Sequence, residues 1–179
     1  KPIAGGTQLT LKTVDADADH DNGNCITFLD QLSSSDGLYY LNESKKQIER
    51  MPLSAPFTPV AVKTVSFDES PRNELREANG YLYWVAFQSI LRTLKDGSGA
   101  IETIANTSSS PTDLLLLGNT LYWIDTGGVK STSIGCASLP CSDTVSTVVP
   151  FDVNTRGYGL VYQPPGKGIL NHAYRIYWV

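Results

Sequence analysis

The sequence predicts an all-β protein, a β-propeller of four-stranded antiparallel blades, with about three full blades and parts of two more in 179 residues. Three observations predict it. One aromatic tetrapeptide recurs along the chain. A turn signal stands ahead of most copies. No stretch keeps an apolar stripe at the helical period for three turns, and 15 Gly and 10 Pro against 1 Met cut the apolar runs into strand lengths.

The tetrapeptide is Leu38-Tyr39-Tyr40-Leu41, then Leu82-Tyr83-Trp84-Val85, Leu121-Tyr122-Trp123-Ile124 and Ile176-Tyr177-Trp178-Val179. All 3 Trp residues fall in it. From the first Tyr of each copy the spacings are 44, 39 and 55 residues, around the ~40–50 of a propeller blade. Asp36-Gly37, Asn79-Gly80 and Gly118-Asn119 precede the first three copies, and these residues tolerate the positive φ of tight hairpins.

In chain order, Thr7–Val14 reads as the last strand of a preceding blade. The first unit, 26–65, takes strands at 26–32, 38–41, 47–53 and 60–65. The second, 66–105, takes 73–78, 82–85, 89–95 and 100–105. The third, 106–149, takes 113–117, 121–124, 129–134 and 144–149. A fourth, 156–179, holds 160–163 and 176–179. Alternation along a strand puts Leu or Ile and Trp on one face and Tyr with the last apolar residue on the other. Both faces are apolar, as in a sheet stacked between two sheets.

On these residues the chain resembles the YWTD repeats of low-density-lipoprotein-receptor class B propellers and their bacterial relatives. Tyr122-Trp123-Ile124-Asp125 is nearest. Tyr83-Trp84-Val85-Ala86 lacks the Asp, and Tyr39-Tyr40-Leu41-Asn42 lacks both Trp and Asp. The resemblance spans about 26–179 and implies a six-bladed ring whose face binds protein partners. The blades here do not complete a ring, a genuine four-blade ring being the alternative reading. The sequence reading is therefore a partial propeller over 1–179, completed by residues or a chain not present, with an N-terminus that is processed or cut.

The sharpest chemical feature is Asp15-Ala16-Asp17-Ala18-Asp19-His20-Asp21-Asn22-Gly23. Ca²⁺ takes six to eight oxygen ligands, and alternate carboxylates of a tight loop supply them. Asp15, Asp17, Asp19 and Asp21 are thus candidate calcium ligands. The loop is not an EF-hand, because Asn22 stands where Gly is needed and Phe28 where a bidentate Glu is. The bland alternative is a solvated acidic loop. Cys136 and Cys141, five apart in a turn, are candidates for a small disulfide, which implies an oxidising compartment. Asn42-Glu43-Ser44 and Asn106-Thr107-Ser108 fit the glycosylation sequon, against chance in a Ser/Thr-rich chain.

Net charge is −4, against a general nucleic-acid surface, and no apolar run reaches the length of a membrane span. Only 2 His are present, and no nucleophile elbow, phosphate loop or zinc motif occurs. The functional expectation is an extracellular, cell-surface or periplasmic module that binds a protein or glycan, or scaffolds a larger secreted protein. The alternative is a propeller-type enzyme, a metal-assisted lyase or hydrolase, with its site at the ring axis.

Overall fold

A computed structural model describes residues 26–27, 33–34, 36–42, 45–72, 75–151, 160–163 and 175–178. All of its regular structure there is β, apart from one 3-10 turn at Ser142–Thr144.

The first sheet joins β3 (Gly37–Asn42), β4 (Gln47–Met51) and β5 (Val60–Thr64), with two-residue bridges β1 (Ile26–Thr27) and β2 (Ser33–Ser34) both on β3. The second runs β6 (Arg76–Ala78), β7 (Tyr81–Ala86), β8 (Ser89–Leu94) and β9 (Glu102–Asn106). The third runs β10 (Asp113–Leu117), β11 (Thr120–Asp125), β12 (Gly128–Ser133) and β13 (Ser146–Pro150). β14 (Leu160–Gln163) and β15 (Arg175–Trp178) form an antiparallel pair.

Local chemistry sets these elements. β-branched and aromatic residues fill the central strands. Asn79 and Gly80, at φ 52° and 80°, make the tight turn between β6 and β7 that Asn-Gly favours. Gly97 is obligatory for another reason. Its φ is +81°, and a Cβ there would lie 2.0 Å from the Val62 carbonyl oxygen, so Gly lets two sheets approach. Each of the three larger sheets carries an irregularity at the same place. Register shifts between Ile48 and Glu49, between Ile90 and Leu91, and between Val129 and Lys130, always where the third strand meets the outer one.

The cores lie between sheets. Tyr39 and Leu41 pack against Leu82, Trp84 and Ala86. Tyr83 and Val85, on the other face of β7, pack against Leu121 and Trp123. Tyr122 and Ile124 then face Leu160. Trp84 and Trp123 are fully buried at equivalent positions. Polar ties sit at the same seams: Arg76 Nε donates to the Leu114 carbonyl at 2.9 Å, and the Leu160 amide donates to Asp113 Oδ2 at 2.5 Å.

The expected β-propeller is overturned. The described strands form separate antiparallel sheets, and none closes or curls into a barrel or propeller. The physical reason is that a two-sided apolar strand records only that a sheet is covered on both faces. A linear stack satisfies that pattern as fully as a ring, so the repeat fixes the neighbours and says nothing of closure. The all-β class itself stands. Strand edges differ mainly in the outer strands, with β13 at Ser146–Pro150 where 144–149 is expected.

Candidate functional site

The residues expected from sequence to carry chemistry fare unequally. Asp15, Asp17, Asp19 and Asp21 lie outside the described residues, as do His20, His172 and Cys25. Cys136 and Cys141 are bonded, and the bond lies against the core between the second and third sheets. Asn42 is no glycosylation site in this fold: it is buried at the end of β3, and its Oδ1 accepts from the Lys45 amide at 3.3 Å. Asn106 is exposed at the end of β9. Among the described residues no group of three or more His, Cys, Asp or Glu is placed to hold a metal ion.

Two clusters that the sequence did not single out are assembled by the fold. The first lies where the first and second sheets meet at the Asp36 and Gly80 turns. A cleft of about 550 Å³ opens there, lined by Asp36, Arg50, Val62, Leu94, Lys95 and Asp96 among others. Its charges satisfy one another. Asp36 accepts from the Tyr39 hydroxyl at 2.9 Å, pairs with Arg50 at 3.1 Å and meets Lys95 at 2.8 Å. Lys95 also pairs with Glu77 at 2.7 Å, and its ammonium stands 5.5 Å from the centre of the Tyr39 ring. Burial, then the hydrogen bond to Asp36, pushes the Tyr39 hydroxyl up to about 12. Burial works to lower Lys95, but its bonds to Asp36 and Glu77 prevail and hold it above the usual lysine range. Such a network locks two sheets together and leaves little for a ligand to engage.

A second buried charge behaves the same way. Glu49 accepts from the Tyr40 hydroxyl at 2.6 Å and from Lys45 Nζ at 2.9 Å. Burial favours its neutral form, yet the hydrogen bonds from Tyr40, Lys45 and Asn42 outweigh it and hold the carboxyl below its ordinary value. The Tyr40 hydroxyl is raised, chiefly by burial and then by the bond to Glu49.

The other cluster is at the opposite end of the strands. Phe67, in the connection between β5 and β6, is 66% exposed, and Phe87, in the β7–β8 turn, is 47% exposed. The Arg72 guanidinium carbon stands 4.5 Å from the centre of the Phe87 ring and 5.6 Å from that of Phe67. The supporting loop is locked. Ser66 and Glu69 exchange reciprocal bonds, amide to carboxylate at 2.9 Å and amide to hydroxyl at 3.3 Å, as in a capping box. The buried Trp84 indole donates to the Glu69 carbonyl at 2.7 Å, and the Arg72 amide donates to the Val85 carbonyl at 3.0 Å. Phe87 holds φ 50°, unusual for a bulky residue, with its ring in solvent. The spacing Ser66-x-x-Glu69 around Phe67 was the one local signal open to sequence reading; Phe87 lies in a different connection.

No family model matches the chain, and no curated protein matches it. A solved structure entitled "Crystal structure of the computationally designed Ika4 protein" is similar, with TM-score 0.52 and 11% identity over 82% of this chain and 87% of that one. At that identity the likeness concerns fold alone.

Proposed function

We propose that this chain is a secreted or cell-surface recognition module, which acts by binding a protein or glycan partner and not by catalysis. The observation that carries the reading is the exposed pair Phe67 and Phe87 on a loop held by Ser66, Glu69 and Trp84. Large apolar side chains in water are unfavourable to the free protein, and a rigid loop lowers the ordering cost of association. Aromatic and arginine side chains are the usual anchors of an interface. The Cys136–Cys141 bond supports an oxidising compartment. The experiment is a parallel pull-down and glycan-array screen with the wild type and a Phe67→Ala/Phe87→Ala variant, beside a panel of hydrolase and lyase substrates. Capture lost in the variant supports the module. Turnover abolished by a single substitution that leaves the fold intact would replace it with an enzyme.

A further inference from the structure

We infer that the partner at the Phe67–Phe87 surface is a protein segment that sets a carboxylate against Arg72, beside an apolar side chain. The inference rests on the binding reading above and adds the partner's chemistry.

Arg72 is exposed, and its side chain makes two ring contacts and no hydrogen bond or ion pair with any described residue. A guanidinium carries five N–H donors in one plane, and a carboxylate is the acceptor that matches that fork with two parallel bonds. The neighbouring rings cover guanidinium surface with hydrocarbon, where a charge-assisted bond is worth more than in open water. The same geometry disfavours a sugar. The guanidinium stands 4.5 Å from the centre of the Phe87 ring and 5.6 Å from that of Phe67, so a ligand laid across both rings meets a charge that a neutral sugar leaves unpaired. It also disfavours phosphate. A dianion is usually held by several Arg or Lys residues, whereas here, among the described residues, one Arg stands at the two rings with exposed Asp68 in the same connection. What remains is a singly charged acid flanked by apolar groups, an Asp or Glu in a hydrophobic peptide context.

The test is an array of peptides with Asp or Glu between Phe or Leu residues, each printed beside its Asn or Gln twin. It is probed with the full chain as wild type, Arg72→Gln, Arg72→Lys, Asp68→Asn and Phe67→Ala/Phe87→Ala. The wild type should prefer the acidic twin by about tenfold or more, the size of one charge-assisted bond. Arg72→Gln should lose the preference with its melting temperature unchanged. Arg72→Lys should retain only part of it, because an ammonium lacks the fork. Asp68→Asn should increase it by removing a like charge. Binding without preference for the acid would overturn the carboxylate assignment and leave the module standing. Glycans captured through the two Phe residues, with no peptide bound, would overturn the choice of a protein partner. No capture of either kind would remove both readings.

Discussion

The two seams between neighbouring sheets share one apolar design and differ at the rim. Between the first and second sheets, Trp84 is buried against Tyr39, and the edge is closed by the charges of Asp36, Lys95 and Glu77. Between the second and third, Trp123 is buried against Tyr83. That edge is closed by the disulfide and by bonds to backbone or neutral groups across the seam, with Arg92 also paired to Glu102 at 2.7 Å within the second sheet. Asn79 donates to Asn119 at 3.0 Å, Cys141 to the Ile104 carbonyl at 2.7 Å and Arg92 to the Ile134 carbonyl at 3.3 Å. The difference teaches that the repeat conserves shape inside and leaves the periphery free. The first rim is tied by charged side chains, while the second adds a covalent bond that responds to reductant.

The largest effect tests the shared part. Trp84→Ala and Trp123→Ala should each cost about 3–5 kcal/mol, since both rings are fully buried. The Phe substitutions then separate the seams. Trp84→Phe should be the more costly, because the Trp84 indole bonds the Glu69 carbonyl, while the Trp123 Nε1 has no acceptor among the described residues. Urea denaturation reads both. A cost under about 1 kcal/mol for either Ala variant would mean an exposed ring and a wrong register.

Next comes the covalent rim. Cys136→Ser/Cys141→Ser should lower stability by about 2 kcal/mol, the chain-entropy value for so short a loop. With 3 Cys in the chain, thiol counting under denaturing, non-reducing conditions should find one free thiol; three would mean that the bond is absent.

Alkaline pH should then act on the other seam. Tyr39 and Lys95 both have folded-state values above their unfolded ones, near 12 for Tyr39. A group raised in this way stabilises the fold fully below its unfolded pKa and loses that contribution as pH climbs through the folded value. Stability should therefore fall from about pH 10 toward 12. Buried Tyr40 is raised as well, and so is Tyr83 at the second seam, so both add to the slope and only the part removed with Tyr39 reports on the first seam. Tyr39→Phe should flatten the limb without abolishing it. An unchanged limb would show that the Tyr39–Asp36 contact does not persist in solution.

The sequence disclosed the strands for a definite reason. Leu-Tyr-Trp-Val must be apolar on both faces to lie between sheets, and a pattern of period two survives whatever the loops do. Asp113–Leu117 and Leu160–Gln163 match the expected ranges residue for residue. Closure was not legible, because Trp123 needs a neighbouring sheet and is indifferent to how many follow. The site was hidden for another reason. Phe67, Arg72 and Phe87 come from two connections, which the bonds from Trp84 to the Glu69 carbonyl and from the Arg72 amide to the Val85 carbonyl bring together. Asp36, Glu77 and Lys95 are likewise scattered over sixty positions and meet only through sheet stacking. The acidic run from Asp15 to Asp21 drew attention because its charges lie at alternate positions of one short stretch, which is the kind of cluster a sequence can display.

The smallest effect concerns the charged rim itself. Lys95 bridges Asp36 and Glu77, and its side chain is 17% exposed against 37% and 23% for its partners. Partly exposed pairs gain little, because water screens them and ordering two long side chains opposes the attraction. Lys95→Met keeps an unbranched apolar side chain and removes the charge that bridges Asp36 and Glu77, so its cost should be about 1 kcal/mol. That cost should shrink in high salt, where the Debye length drops to about 3 Å at 1 M. The Cys136→Ser/Cys141→Ser cost should stay constant over the same range. A Lys95→Met cost that does not respond to salt would mean that Lys95 holds the seam through its stem, and the contrast between a charged rim and a covalent one would collapse into packing alone.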